Sequence, residues 1–325
     1  MKINSFFNNF KRKKILLLGD FFLDEFLYGT CNRVSPEGPV PIINYTHSNF
    51  NIGGAGNVNI NLTNLRAKVV PITILGKDKI SRKIYDILLR HKISTKNIIR
   101  NPNYLGILKT RIAVKNQHVA RIDYEKNQIN SVKSSFKSLK FLITEQIKKC
   151  DLLLISDYGK GVLNDELIKY SIQLANDLKI ISVVDPRKKN NDYSCYSGAT
   201  FITPNLNEIR NIYPEIENID RSIIEGCRKI KKNFFIENII VTRGEKGVTF
   251  FNKNYKKHIK SFAKEVYDVS GAGDTLISCF VVGILGGLDI IKSLKLANLS
   301  AGHVVSLAGT QPITLKKFKQ FYNQV

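Results

Sequence analysis

The clearest chemical signal in the chain is the small-residue stretch 269–275, which contains Asp274 and precedes an apolar, helix-like run. Gly271 and Gly273 would let the backbone approach an anion without a Cβ clash, and the amides at a helix start attract negative charge. Asp274 would then lie beside the anion and could accept the proton of an attacking hydroxyl. Taken alone, Asp274 could equally be a helix-start residue that satisfies free amides.

Two further clusters could serve a nucleotide. Asn205 and Glu208 lie three residues apart at a predicted helix start, where an amide and a carboxylate could hold water-coordinated Mg²⁺ near phosphates. The same pair could simply cap that helix. Thr242 and Gly244 lie in a predicted strand–turn–strand unit, residues 241–248, which could support a nucleotide or be an ordinary hairpin.

Carboxylates and glycines follow the first predicted strand. Asp20 and Asp24 would lie at its carboxyl end, where open α/β sheets bind ligands, and could accept hydrogen bonds from ligand hydroxyls or cap a helix. Gly53, Gly54 and Asn57 precede another helix-like run. This stretch could lie against a polyol, form a phosphate nest or be a plain loop.

A set of charged residues suggests the nature of the substrate. Asp157 and Lys160 follow the predicted central strand and would face one crevice, while Lys109 and Arg111 lie on a separate strand-like segment. Cations gathered from several elements suit a substrate that already carries a phosphate. The alternative is that each is a solvated surface charge, the commoner fate of lysine and arginine.

The elements that must position these residues follow a strand–helix rhythm. Continuous apolar runs, typical of buried parallel strands, occupy residues 15–18, 69–75, 152–156, 180–184, 200–203 and 239–242. Helical patterns occupy residues 80–91, 135–149, 165–178 and 219–233. This alternation predicts a doubly wound α/β sheet with helices on both faces. We expect a single domain over residues 1–325, because no linker or internal repeat interrupts the pattern.

Two more polar, strand-like segments, residues 29–45 and 107–124, lie apart from that rhythm and could form a small sheet that covers one edge. Val34, Val40 and Ile42 would be exposed apolar residues on such a lid. A second copy of the chain could cover them, so we expect a homodimer formed through the lid.

The bulk composition is that of an ordinary globular protein, with 43% hydrophobic and 24% charged residues among 325. The net charge of +23 is spread along the chain and forms no basic arm, so we expect no nucleic-acid partner.

The five cysteines form no C-x-x-C pair, which favours reduced thiols in a cytoplasmic protein. No secretory signal or span of about 20 apolar residues occurs, so we expect no membrane partner.

Taken in this order, the motifs resemble those of the ribokinase-like (PfkB) carbohydrate kinase family, over nearly the whole chain. The resemblance implies a Rossmann-like α/β sheet with a small β lid, ATP with Mg²⁺, and room for a monovalent cation. It implies Asp274 as the catalytic base and Glu208 as the residue that holds Mg²⁺ through water. The implied nucleotide-binding residues are Asn205, Glu208, Thr242, Gly244, Gly271, Ala272, Gly273 and Asn298. The implied substrate-binding residues are Asp20, Asp24, Gly53, Gly54, Asn57, Lys109, Arg111, Asp157 and Lys160.

Within that family, the chain is similar to the kinases of D-glycero-β-D-manno-heptose 7-phosphate. The similar stretches are residues 19–24, 28–29, 33–41, 53–58, 116–117, 156–161, 185–186 and 266–269. Gly38, Gly56 and Arg187 depart from the usual pattern, which has alanine at the first two positions and lysine at the third. The resemblance implies phosphorylation at C1 to the 1,7-bisphosphate, in the synthesis of ADP-heptose and the lipopolysaccharide core.

Other functions stay open on this fold. The chain could be a ribokinase, a fructokinase or a phosphofructokinase, or a non-catalytic sugar-sensing or nucleic-acid-binding protein. The intact Asp274, Asn205 and Glu208 count against the non-catalytic alternatives. The nucleotidyltransferase signature His-x-Gly-His does not occur, so we expect no nucleotidyltransferase domain in this chain.

Overall fold

The computed structural model describes residues 2–115, 117–126, 128–187, 192–263, 265–307, 309 and 311–325. Asn116, which belongs to the resemblance above, lies outside these residues. The strands are β1 (Lys14–Gly19), β2 (Phe21–Val34), β3 (Pro41–Gly54), β4 (Lys68–Leu75), β5 (Ile98–Arg100), β6 (Leu108–Val114), β7 (Gln117–Tyr124), β8 (Leu152–Ser156), β9 (Ile181–Asp185), β10 (Phe201–Ile202), β11 (Asn238–Thr242), β12 (Val248–Phe251) and β13 (Lys256–Ile259). The helices are α1 (Ile3–Phe10), α2 (Ala55–Asn64), α3 (Lys79–Arg90), α4 (Ile129–Ile147), α5 (Asp165–Asp177), α6 (Leu206–Ile212), α7 (Asp220–Phe234), α8 (Ala272–Leu285), α9 (Ile290–Val304) and α10 (Leu315–Tyr322).

The main sheet has nine strands in the described part of the chain, in the order β13-β12-β11-β10-β9-β8-β1-β4-β5. The seven neighbouring strands β5, β4, β1, β8, β9, β10 and β11 run parallel to one another. Strands β12 and β13 add an antiparallel edge. The predicted α/β sheet is therefore confirmed. Its carboxyl edge brings together the loops that follow β1, β8, β9 and β11, as expected for a ligand site on an open sheet.

Both faces of the main sheet are covered. Along β1, Ile15 and Leu17 pack into one hydrophobic core, whereas Leu16 and Leu18 pack into a second core on the opposite face. This alternation follows from the two-residue period of a strand. Helices α2, α8 and α9 contribute to the first core, and α4, α5 and α7 to the second. Because both faces are buried, the strands read as continuous apolar runs in the sequence.

A separate four-stranded sheet, in the order β3-β2-β6-β7, forms the lid. It contains the two segments expected from the sequence but extends further, since β2 and β3 pair from Phe21 and Gly54 to Val34 and Pro41. As a result, Asp24 lies inside a lid strand and not at the end of β1. The inner strands β2 and β6 are parallel, with Asp24 opposite Lys109.

Two local features differ from the pattern-based expectation. Helix α2 begins at Ala55, three residues before the predicted apolar run, because Gly54 takes a positive φ of 64° and the Ala55 amide then donates to the Asp20 carbonyl. Helix α1 is absent from the sequence-based prediction. It buries Phe6 and Phe10, and the centroid of the Phe6 ring lies 4.8 Å from that of the Tyr322 ring in α10.

Of the helices in the described ranges, none has the length and apolar character needed to cross a bilayer.

Candidate active site

Asp274 lies in the first turn of α8. The helix begins after Gly271, whose φ of 80° turns the chain so that the helix start faces the carboxyl edge of the main sheet. The Asp274 side chain is almost fully buried, and each carboxylate oxygen accepts a hydrogen bond: Oδ2 from Asn57 Nδ2 at 2.6 Å and Oδ1 from the Tyr158 hydroxyl at 2.6 Å. Burial raises the pKa of Asp274 to about 6, and the two hydrogen bonds limit the rise. The group is therefore ionised at neutral pH.

Gly273 presents an open space beside this carboxylate. A Cβ added at Gly273 would meet no described atom within 4 Å, and the residue lines the neighbouring cavity. The amides at the start of α8 have no acceptor within the helix, and that of Ala272 donates to the Val269 carbonyl at 3.3 Å. The space next to them fits an anion such as a nucleotide phosphate.

The cavity has a volume of about 410 Å³ and lies between the lid and the carboxyl edge of the main sheet. It brings together seven residues that the sequence marked as site residues: Lys109, Asp157, Lys160, Asn205, Glu208, Thr242 and Gly273. It also contains residues that the sequence reasoning did not assign: Arg121, Asp123, Tyr158, Asp185, Arg187 and Thr203. Four of these could have been found from their position in the sequence. Each follows or ends a predicted parallel strand: Tyr158, Asp185, Arg187 and Thr203.

Two carboxylates, Glu208 and Asp185, line the cavity at the carboxyl edge of the main sheet. Glu208 and Asn205 form the helix cap that the sequence left open: Asn205 Oδ1 accepts from the Glu208 amide at 2.9 Å, and Glu208 Oε2 accepts from the Asn205 amide at 2.8 Å. Burial raises the pKa of Glu208 to about 7. Burial, then the nearby Glu208, raises the pKa of Asp185 well above its ordinary value, while Thr203 Oγ1 donates to Asp185 at 2.9 Å.

These two carboxylates are chemically suited to Mg²⁺, which prefers oxygen ligands and keeps several waters. Burial raises the pKa of both groups, so a cation that binds beside them would favour their ionised forms. Within the described ranges, no cluster of three or more His, Cys, Asp or Glu side chains could enclose a metal ion by itself.

Asp20 and Asp157 bind the protein itself. The fully buried Asp20 carboxylate accepts from the Lys160 amide at 3.0 Å and the Val162 amide at 2.9 Å. Asp157 accepts from the Gly159 amide and from the Tyr196 hydroxyl, both at 2.7 Å. The two carboxylates thus fix the loop that follows β8.

The inner face of the lid is strongly charged. Arg111 forms an ion pair with the buried Asp24, whose pKa is raised by burial despite this partner. Lys109 Nζ lies 4.0 Å from the centroid of the Phe22 ring, and burial followed by repulsion from Lys160 lowers the pKa of Lys109. A cation held in this way gains from an incoming anion, because an opposite charge offsets its burial.

Further cations line the cavity. Lys160 pairs with Glu125, and Arg121 pairs with Asp123 at 2.9 Å on the edge strand of the lid. From the opposite wall, Arg187 donates to the Tyr158 carbonyl. The cavity is therefore lined by cations from both the lid and the main sheet.

The remaining site residues have different positions. Gly53 must lack a side chain, because a Cβ there would collide with Asp24 Oδ2 and the Phe22 ring. Asn57, expected to contact substrate, instead holds Asp274. Gly244 begins a short 3₁₀ turn, Gly244–Lys246, and Asn298 Nδ2 donates to the Lys260 carbonyl at 2.7 Å. Neither residue is part of the wall of the 410 Å³ cavity as the described residues form it.

The chain is similar in sequence to known carbohydrate kinases. The family model described as pfkB family carbohydrate kinase matches residues 25–317. The bifunctional protein HldE of Aliarcobacter butzleri is 36% identical over 317 residues, which are 96% of this chain and 64% of that protein. The bifunctional protein HldE of Helicobacter pylori strain G27 is 36% identical over 313 residues, 96% of this chain and 67% of that protein. The chain thus spans about two thirds of the length of these relatives.

A solved structure gives the same fold. The ribokinase of Arabidopsis thaliana, in a complex with ribose and ATP, aligns with a TM-score of 0.74 at 14% identity and covers 95% of this chain and 98% of that one. At this level of identity the likeness concerns the fold alone.

The raised pKa of Glu208 predicts a pH-dependent stability. A carboxyl group whose pKa is higher in the folded chain stabilises the fold below its ordinary pKa of 4.5, and this contribution is lost as the pH rises through about 7. Glu208→Gln keeps a residue type suited to the capping box but cannot ionise. We expect the free energy of unfolding of the wild type, measured in urea, to fall more between pH 5 and pH 8 than that of the variant.

The matched control is Glu166→Gln, in the exposed first turn of α5, which should keep the pH dependence of the wild type. Equal pH slopes for the wild type and Glu208→Gln would show that Glu208 is not held in a desolvating environment.

Proposed function

Because the chain belongs to the pfkB family of carbohydrate kinases, we propose that its acceptor is D-glycero-β-D-manno-heptose 7-phosphate and its product the 1,7-bisphosphate. The chain is a sugar kinase, which transfers a phosphate from a nucleotide to a sugar hydroxyl. The observation that carries the choice of acceptor is the group of cations around the cavity beside Asp274. The product would serve the synthesis of ADP-heptose and the lipopolysaccharide core.

Asp274 is the proposed catalytic base. The C1 hydroxyl of the sugar would donate its hydrogen bond to the carboxylate, and its proton would pass to Asp274 as the hydroxyl oxygen attacks the γ-phosphorus of ATP. The bond from that phosphorus to the β–γ bridging oxygen breaks, and ADP leaves. The amides at the start of α8 face the transferring group, where they stabilise its negative charge.

Nucleotide and metal would occupy the other half of the cavity. Asn205, Thr242, Gly271, Ala272 and Gly273 are the proposed nucleotide contacts, together with Gly244 and Asn298, which are not among the described residues of the cavity wall. Glu208 and Asp185 would hold Mg²⁺ through water, and the ion would neutralise phosphate charge. A monovalent cation, which the family resemblance also implies, is part of the proposal without an assigned set of ligands.

The acceptor's own phosphate would bind on the lid side. Lys109, Arg111 and Lys160 would face the 7-phosphate, and arginine adds bidentate geometry. Asp24 would accept hydrogen bonds from sugar hydroxyls, beside the glycine backbone at Gly53 and Gly54. Asp20, Asn57 and Asp157 would contribute to the sugar site by fixing the base and the loop after β8.

We propose a cytoplasmic location, where ATP is available and thiols stay reduced. All five cysteines are free, and four of them are buried. A homodimer formed through the lid is also proposed, because the lid exposes apolar residues that a second copy could cover. Val34 is 63% exposed, Val40 56% and Tyr45 62%.

Loss of the base should abolish most of the activity. Asp274→Asn keeps the size of the side chain but cannot take the proton, so we expect kcat to fall by about 10²–10⁴, the usual worth of a positioned acid–base group, with little change in the KM for ATP. In the wild type, kcat/KM should fall as the pH drops below about 6, because the carboxylate is protonated there. Steady-state kinetics across pH 5 to 9 measures both effects.

The control for this variant is Asp289→Asn, which also replaces a carboxylate at a helix start, in this case the N-cap of α9. It should leave kcat within a factor of about two, because surface substitutions away from a site have small effects. Turnover near the wild-type rate in Asp274→Asn would remove this residue from its role.

Recognition of the substrate phosphate predicts strong discrimination. We expect kcat/KM for heptose 7-phosphate to exceed that for free heptose by about 10–100-fold or more, the equivalent of roughly 1.5–3 kcal/mol for a hydrogen bond to a charged group. Lys109→Ala and Arg111→Ala should shrink this ratio while sparing the KM for ATP. Lys109→Ala is the cleaner variant, because the loss of Arg111 also leaves Asp24 without its partner.

Lys169→Ala, an exposed cation on α5, is the matched control and should not change the ratio. Equal kcat/KM for the free and the phosphorylated sugar in the wild type would mean that the cavity has no phosphate site. The function would then reduce to that of a general sugar kinase.

Dimer formation through the lid is tested by sedimentation velocity. We expect the wild type to sediment as a dimer, and Val34→Lys with Val40→Lys to sediment as a monomer, because charges on the shared apolar surface would be buried without partners. Phe141→Lys, which places a lysine at an exposed aromatic position on α4, should stay dimeric. A wild type that is monomeric at every concentration would contradict the proposed dimer.

A further inference from the structure

Tyr158 lies between the catalytic base and the cavity. Among the described residues, Tyr158, Gly273 and Leu276 belong to the cavity wall, whereas Asp274 does not. The hydroxyl of Tyr158 donates to Asp274 Oδ1 at 2.6 Å. Tyr158 therefore forms part of the cavity wall next to a carboxylate that is itself almost fully buried.

The tyrosine hydroxyl makes the same kind of contact as an acceptor hydroxyl would. Both are O–H groups that donate to a carboxylate, and such charge-assisted bonds are short and strong. Burial, then the charge of Asp274, raises the pKa of Tyr158 well above its ordinary value, so the phenol keeps the proton that it donates. Asn57 donates to Oδ2 and Tyr158 to Oδ1, so each carboxylate oxygen already accepts one hydrogen bond from the protein.

The loop that carries Tyr158 is firmly held. Its carbonyl accepts from Arg187, the next amide binds Asp157, and the amides of Lys160 and Val162 bind Asp20. The Tyr158 ring also packs edge-on against Phe22, with centroids 5.4 Å apart. Exposure of Asp274 therefore requires a rotation of the Tyr158 side chain, while the backbone stays in place.

We propose that Tyr158 is a gate on the catalytic base: it occupies Asp274 while the sugar site is empty and gives way to the sugar hydroxyl. Its function would be to suppress wasteful hydrolysis of ATP. Without it, a water molecule in the cavity could donate to Asp274, pass its proton to the carboxylate and attack the γ-phosphorus, which releases ADP and phosphate. The sugar can displace the tyrosine because many contacts hold it in the site, whereas water has none of these.

The proposal rests on the kinase activity and not on the identity of the sugar. Its test is the rate of ADP release from ATP without any sugar, in the wild type and in Tyr158→Phe. The variant loses the hydroxyl but keeps the ring. We expect sugar-free hydrolysis to rise by about tenfold or more, the equivalent in rate of one charge-assisted hydrogen bond. With heptose 7-phosphate present, the amount of ADP formed per bisphosphate should exceed one.

Three further variants define the origin of the effect. Tyr170→Phe removes a tyrosine hydroxyl that contacts Thr144, outside the described wall of the cavity, and should not increase hydrolysis. Tyr158→Phe combined with Asp274→Asn should lose the gain, because the gain acts through the base. Phe22→Leu weakens the packing of the tyrosine ring without removing its hydroxyl and should raise hydrolysis by a smaller factor.

If ATP hydrolysis without sugar is unchanged or lower in Tyr158→Phe, the proposed gate is wrong. If the variant loses only kcat, Tyr158 is a positioning residue for Asp274 and not a gate. A gain that persists in the double variant would also overturn it, since the base would not be involved. A wild type that cannot phosphorylate heptose 7-phosphate would refute the proposed acceptor but would leave the sugar-free comparison valid.

Discussion

The charged carboxylate of Asp274, buried at the start of a helix, is the constraint on which the rest of the site depends. A buried charge is costly unless hydrogen bonds compensate it, and here the two donors come from separate elements, Asn57 on α2 and Tyr158 after β8. Helix α2 can begin where it does because Gly54 takes a positive φ. The loop of Tyr158 keeps its shape because the buried Asp20 binds two of its amides. The position of Asp274 therefore depends on residues from several separate elements.

The charged groups of the lid make a second contribution to the site. It places cations beside the cavity, and burial lowers the pKa of Lys109 and so weakens its charged form. On the opposite side of the cavity, burial raises the pKa of Glu208. Each group would gain from a ligand of opposite charge, an anion at the lid and a cation at the sheet edge. These buried charges are the basis for the proposed phosphate site at the lid and the proposed metal site at the sheet edge.

The sequence predicted the main sheet well, since β1 and β8 are buried on both faces and read as continuous apolar runs. It also predicted that Asp274 and the Asn205–Glu208 pair lie at helix starts, because each position depends on local spacing. It did not reveal which groups bind Asp274, because Asn57 is 217 residues away and Tyr158 is 116 residues away along the chain. Nor could it show that Asp20 binds backbone amides, because that contact depends on the tertiary fold.

The central claim is that Asp274 receives the proton of the sugar hydroxyl and that Tyr158 leaves when the sugar arrives. A crystal structure with a non-hydrolysable ATP analogue and heptose 7-phosphate tests it most directly. The account predicts the acceptor hydroxyl within about 2.6–3.2 Å of Asp274 Oδ1 and in line with the γ-phosphorus, with the Tyr158 hydroxyl displaced. A bound sugar whose hydroxyls all lie away from Asp274, with the contact between Tyr158 and Asp274 intact, would contradict it.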